Sequence, residues 1–166
     1  MGFAFFGIIS ILICWKWGNW KNWKEYYPTI LYFIIGNLVY CILTCDKPLW
    51  QFIEFFSKCT FSDISIMILL YPSTVILFLS FLPKTLLKKI MYILLWVIIY
   101  TLIELVSLYT GSFAYKNGWN IYFTIIFNII MFSLLLLHYT NPLIVWPVSA
   151  ILAFSMMLLF KIPLIR

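Results

Sequence analysis

The chain has 166 residues, of which 65% are hydrophobic, 21% aromatic and only 10% charged, and it carries a formal net charge of +6. Soluble domains average about 45–50% apolar and about 25% charged residues, so a water-soluble fold of this length would have nowhere to hide its apolar surface. The eleven Lys and Arg residues stand at the ends of apolar stretches and not in a basic stripe among exposed aromatics, which argues against nucleic acid as a partner and for membrane topology.

Six apolar stretches follow one another: Met1 to Trp15, Pro28 to Thr44, Ile64 to Leu82, Ile90 to Tyr109, Ile121 to Leu137 and Leu143 to Phe160. Helices of about 15 to 20 residues cover about 23 to 30 Å, close to a hydrocarbon core of about 30 Å. The expected fold is all-α, a polytopic integral membrane helical bundle of about six transmembrane helices plus interfacial amphipathic segments. Residues 1–166 read as one domain, and the first three spans show no repeat of the last three. The lipid bilayer is the expected surrounding.

The first stretch has neither a basic n-region nor a small-residue cleavage site, so it is expected to be a retained helix. From Trp15 to Tyr27 the chain reads WKWGNWKNWKEYY, with Trp17, Trp20, Trp23 and Tyr27 at steps of three or four. This pattern predicts an interfacial helix whose Lys16, Lys21 and Lys24 reach anionic lipid. The loop from Cys45 to Asp63 places Leu49, Phe52, Ile53 and Phe56 at helical spacing, predicting an amphipathic helix in the interface or folded over the bundle's mouth. Cys14, Cys41, Cys45 and Cys59 lack paired CxxC spacing, so no metal site is expected. Free thiols are the simpler reading, while a Cys45–Cys59 bridge across that loop stays open.

Further along, Pro72-Ser73-Thr74 falls mid-span, where a proline frees a backbone carbonyl that hydroxyls can satisfy. Lys84, Lys88 and Lys89 form a second compact triplet in the third loop, on the same face as Lys16, Lys21 and Lys24. These six cations face five on the other side, Lys47, Lys58, Lys116, Lys161 and Arg166, so the triplets set the expected orientation. Both termini should then be extracytoplasmic. His138 opens the HYTNP turn between the last two spans and reads as an interfacial residue.

Glu104 is the one ordinary acid or base inside a predicted span, and a central charge there costs about 2.5–3.5 kcal/mol on insertion scales. Trp96, Tyr100, Glu104 and Ser107 share one helix face, and Asn120, Thr124 and Asn128 form a stripe on the next helix. The intervening loop contains the turn signal Asn117-Gly118, so the two helices should pair antiparallel with Glu104 and Thr124 at similar depth. Asn37 lies near the middle of the second span, and one pocket lined by Asn37, Tyr100, Glu104, Asn128 and the Pro72 kink is conceivable. The candidates for ligand binding or coupling are therefore Glu104, Tyr100, Trp96, Asn128, Thr124 and Asn37. No catalytic set is assigned.

No cofactor is expected. The chain has no P-loop, no HExxH, no Ser-His-Asp set within reach, no second histidine for a bis-histidine haem and no lysine within a span for a Schiff base.

The stretches WKNWKEYYPTILYFIIGNLVY, LLWVIIYTLIELVS and AYKNGWNIYFTIIFNIIMF resemble a family of small multi-spanning membrane proteins from spore-forming Gram-positive bacteria, a family without an assigned biochemical activity. The resemblance implies a multi-pass protein of a bacterial cytoplasmic membrane and transfers no site residues. Three functions fit the residues. The first is a non-enzymatic module that binds a lipid or small solute, or escorts a membrane partner, with Glu104 in its polar interior. The second is a small transporter or channel subunit, using Glu104 for proton or cation coupling as a homo-oligomer. The third is an intramembrane lipid or isoprenoid enzyme, so whether the chain is an enzyme stays open.

Overall fold

In the computed structural model, residues 2–53, 64 and 66–163 are described. They form helices α1 (Gly2–Trp17), α2 (Trp23–Leu43), α3 (Tyr71–Ser80), α4 (Leu86–Tyr109), α5 (Ile121–Thr140) and α6 (Pro142–Leu159). A π-helical turn, Ile66–Leu70, leads into α3, and two short strands, β1 (Trp50–Phe52) and β2 (Phe113–Tyr115), pair into a ribbon. The all-α expectation holds, since every apolar stretch has become a helix.

Among the described residues, four helical stretches are long and apolar enough to cross a membrane: Trp20–Leu43, Leu86–Tyr109, Ile121–Thr140 and Pro142–Leu159. Two more, Phe6–Trp17 and Ile66–Ser80, are apolar but shorter. The surface is inverted relative to a soluble protein: α4 exposes Leu94, Leu95, Ile98, Leu102 and Leu105 while burying only Val97 and Ser107. Such a face is stable where lipid solvates it, so the chain is membrane-embedded.

The shortest helix is the most buried. Every residue from Ser73 to Leu79 is buried, with α1 and α2 packed against α3. Phe78 meets Tyr92 and Trp96 of α4 and Phe132 of α5. The backbone changes from π to α geometry beside Pro72, whose missing N–H interrupts a regular ladder. Ser73 repairs the break locally, donating to the Leu69 and Leu70 carbonyls at 2.7 and 3.0 Å, and its hydroxyl also lies 2.7 Å from that of Ser10. Gly18 ends α1, and a Cβ there would collide with the Cys14 carbonyl and press on Ile76 at 3.1 Å, so only glycine lets α1 seat on α3.

Among the described residues, neither of the two expected amphipathic helices forms. Between Trp15 and Tyr27 the chain leaves α1 at Gly18, makes a 3₁₀ turn (Trp20–Asn22) and starts α2 at Trp23. Tertiary bonds override the helical spacing: the Asn19 N–H reaches the Ser80 hydroxyl at 2.9 Å, and Trp20 Nε1 reaches the Cys14 carbonyl at 2.9 Å. The tryptophans nevertheless stay on the outside, Trp15, Trp17, Trp20 and Trp23 all being exposed.

In the second case, the segment after Cys45 becomes β1. Pro48 disfavours helix for the residue before it, and the Tyr40 hydroxyl accepts from the Leu49 and Trp50 N–H groups at 3.1 Å each. Pairing with β2 then sets the register Trp50↔Tyr115, Gln51↔Ala114 and Phe52↔Phe113. The remainder of that expected helix, with Phe56 and Cys59, lies outside the described residues. Cys45 is a free, exposed thiol.

Successive helices alternate in direction, so the bundle has a ribbon end and a lysine end. The ribbon end gathers β1, β2 and the C-terminus of α6. At the opposite end lie the Trp17–Trp23 turn, the Leu82–Thr85 connection and the Thr140–Pro142 turn.

Candidate functional site

The ribbon is fixed on the bundle by aromatic stacking. Tyr40 lies flat on Trp50, with centroids 3.9 Å apart and planes at 4°, and Trp50 leans on Trp119 and Phe127. Trp119 arrives there because Asn117 and Gly118 take positive φ values of 49° and 89°, closing a turn in which the Trp119 N–H bonds the Lys116 carbonyl at 3.0 Å. This is the reversal that the Asn-Gly pair favours. Asn117 also donates to the Pro48 carbonyl at 2.6 Å, tying the turn to the chain leading into β1.

Beneath the ribbon, α4 and α5 pair antiparallel and bring Glu104 to Thr124. The Thr124 hydroxyl donates to Glu104 Oε1 at 2.6 Å and accepts from Trp119 Nε1 at 2.9 Å. The Tyr115 hydroxyl lies 3.2 Å from the same oxygen and also reaches the Glu104 carboxyl. Thr124 is 2% exposed, and its donor and acceptor capacity is used within the cluster. Burial, together with the Glu104 carboxylate, holds the Tyr115 phenol above its usual range, so it stays a proton donor. Glu104 itself is only half-buried, about 7 Å from the ribbon end of its helix.

One turn deeper, Asn128 donates to the Thr101 hydroxyl at 3.4 Å. Asn120 does not extend this stripe, because it is exposed and caps α5, accepting from the Tyr122 and Phe123 N–H groups at 3.0 and 3.4 Å. The one pocket read from the sequence, lined by Asn37, Tyr100, Glu104, Asn128 and the Pro72 kink, is divided into separate pairs. Tyr100 bonds Thr74 at 2.6 Å, and Tyr71 donates to Asn37 Oδ1 at 3.0 Å. Trp96 turns away from the acid and packs on Phe78 and Phe132. Packing of α3 separates these groups: Thr74, on its buried stretch, takes Tyr100, and Tyr71, at its start, takes Asn37.

The lysine end holds a second cluster. His138, expected at the interface, is 4% exposed, because α2 and α6 close over it. Its ring stacks on Tyr32 at 4.4 Å, its Nδ1 lies 3.1 Å from the Thr29 hydroxyl, and Trp146 stands edge-on to Tyr32. The Tyr32 hydroxyl in turn bonds Ser149 at 2.6 Å. Outside this dry cluster, Tyr139 reaches Glu25 at 3.4 Å, and Lys16, Lys21, Lys24, Lys84 and Lys88 are exposed.

Tyr115, Trp119 and the His138 cluster were not singled out from the sequence. The Asn-Gly turn was the available signal for Trp119, and the alternation Phe113-Ala114-Tyr115 for the strand that delivers Tyr115. Among the described residues no three His, Cys, Asp or Glu side chains converge. In the ribbon-end cluster the Thr124 hydroxyl and the Trp119 indole N–H are spent on each other and on Glu104, which leaves the half-buried carboxyl, beside a wall of rings, as the group suited to a polar or cationic head joined to an apolar body. No protein-family model, curated protein or solved structure matches this chain.

Proposed function

We propose that this chain is a multi-pass protein of a bacterial cytoplasmic membrane, crossing it six times with both termini outside. In this reading it serves as a non-enzymatic binding module for a lipid or small solute. The observation that carries the reading is the Glu104 carboxyl, held at 2.6 Å by Thr124 beside Tyr115 and next to the Trp50–Trp119 aromatic wall. An acid in a span is costly to insert, and a half-buried one with ordered partners is placed to receive a ligand's donor or positive charge. The ligand's apolar part would lie along Tyr40, Trp50 and Phe127.

At the other end the exposed lysines are suited to anionic headgroups. The Asn19–Ser80 hydrogen bond couples the first lysine loop to the C-terminus of α3, which leads straight into the second, so Lys16, Lys21 and Lys24 act with Lys84 and Lys88 on one leaflet. That leaflet is the cytoplasmic one if the lysine excess sets orientation. Escort of a membrane partner, or self-association, would use the apolar outer faces of α4 and α6.

Native mass spectrometry of the protein released from mild detergent tests the binding role. The expected result is a small-molecule adduct on the wild-type chain that Glu104→Gln loses while remaining folded. A wild-type chain that flies bare, or an adduct retained in full by Glu104→Gln, rejects it.

A further inference from the structure

The buried face of α5 reads Thr124, Asn128, Phe132, Leu135 and His138, at steps of four, four, three and three. Its polar residues lie at the two ends and its apolar ones in the middle. Thr124 and His138 are 14 residues apart, about 21 Å along the axis, so they bracket most of a bilayer's hydrocarbon depth of about 30 Å. Each end carries an ionisable group: Glu104 bound to Thr124, and His138 itself.

We propose that this face of α5 is a gated proton route, with Glu104 as the proton acceptor at the ribbon end, His138 as the acceptor at the lysine end and Phe132 as the gate. The proposal rests on the reading of Glu104 as a reachable working group, and adds to it the residues that connect the acid to the far side.

Polar stepping stones lead inward from Glu104 through Thr124, Asn128 and Thr101. The last pair before the middle is Tyr100–Thr74, at 2.6 Å, and Tyr100 stands edge-on to Phe132 with centroids 5.0 Å apart. Phe132 is 0% exposed and is closed in by Phe78 at 5.3 Å and Trp96 at 5.7 Å, while Leu135 at 1% fills the next turn. A ring of apolar side chains this tight is dry, and hydrophobic constrictions of this kind gate by wetting and dewetting.

Beyond the plug, His138 meets Thr29 and Tyr32 from α2 and Trp146 from α6. On that side Tyr139, the residue after His138, donates to Glu25 at 3.4 Å. The groups facing Glu104 are Tyr115 from β2 and Thr124 from α5. In a cycle, the Glu104 carboxylate takes a proton from a hydronium ion at the ribbon end, leaving water. When Phe132 rotates away, that proton passes along hydrogen-bonded water to a ring nitrogen of neutral His138. Once the Tyr32 and Trp146 rings that cover it part, the imidazolium releases the proton to water on the side of Glu25, restoring the neutral ring. No bond other than those to the proton is made or broken.

The test is proton entry into phosphatidylethanolamine–phosphatidylglycerol vesicles containing the full chain and an internal pH dye, driven by a potassium gradient with valinomycin. Phe132→Ala is expected to speed entry about tenfold over wild type, as lowering the barrier by about 1.4 kcal/mol would. Adding Glu104→Gln or His138→Gln to that chain should return the rate to the wild-type level. Phe132→Leu, a milder change, should give a smaller rise with the same dependence, and it carries the test if the alanine chain does not fold. A rate unchanged by opening Phe132, or a raised rate indifferent to both Glu104→Gln and His138→Gln, overturns the route. Because ligand retention is read by mass and the route by flux, either reading can fail while the other stands.

Discussion

At the ribbon end an acid lies half-buried beneath paired strands, its carboxyl bonded by Thr124 and Tyr115; at the lysine end an imidazole is sealed between Tyr32, Thr29 and the aromatic ring of Trp146. Aromatic rings build both sites, yet the supports differ. The ribbon end depends on backbone pairing and on one ring stack, Tyr40 on Trp50, to hold non-helical chain over the helices. The lysine end depends on three helices that pack without a lid. The end with the larger net positive charge thus has the drier ionisable group, and the end with fewer cations leaves its acid within reach. Charge at a helix end reports orientation in the membrane, whereas reachability of a buried group follows from what covers it.

Removing the lid should have the largest effect. Trp50→Ala deletes the stack on Tyr40 and the contacts to Trp119 and Phe127, and by analogy with large-to-small aromatic changes costs about 3–5 kcal/mol. Chemical denaturation in detergent should show the loss, while cysteine accessibility at Ser149 stays unchanged because the lysine end does not use the ribbon. Thr124→Val comes next, at about 1–3 kcal/mol, since it takes one of two hydroxyl partners from the Glu104 carboxyl and leaves the buried Trp119 indole N–H without its partner. The same measurement should find Thr29→Val milder, at about 1 kcal/mol, because it removes one hydrogen bond to His138 where Thr124→Val removes bonds to two groups. If the two threonine changes cost the same, the two ends are not built differently.

The smallest effect on stability belongs to the exposed cations. Replacing Lys21, Lys24 and Lys88 together by Gln should alter unfolding by less than about 1 kcal/mol, yet weaken retention of phosphatidylglycerol over phosphatidylcholine in a salt-dependent way. Lipid extracted with the purified protein measures this directly. Retention that does not change with these substitutions would leave the lysines a purely topological role.

Much of this contrast was legible in the chain, though unevenly. The six helices follow from apolar length alone, and the pairing of Glu104 with Thr124 follows from two i,i+4 stripes joined by a short Asn-Gly turn. The ribbon was not legible, because Leu49, Phe52 and Ile53 fit a helical period as well as a strand, and only Tyr40 and the distant β2 decide between them. His138 was misplaced for a related reason. Its burial depends on Thr29 and Tyr32, more than a hundred residues earlier, whose side chains carry no local sign of a partner. The conceivable common pocket failed because α3 intercepts Tyr100 through Thr74 and positions Tyr71 to hold Asn37. Short buried helices of this kind compete for every polar neighbour, and pattern along one helix does not reveal the competition.

The difference in reachability is tested most directly by labelling single cysteines at Tyr115 and Ser149 in membranes with a small membrane-impermeant thiol reagent, applied from each side in turn on a chain lacking its native cysteines. Tyr115→Cys is expected to react from the ribbon side, and to be protected by whatever ligand co-purifies with the wild-type chain, while Ser149→Cys stays inert from both sides. A Tyr115→Cys chain that is folded and inert, or a Ser149→Cys chain that labels as readily, would contradict the account of an open acid at one end and a sealed histidine at the other.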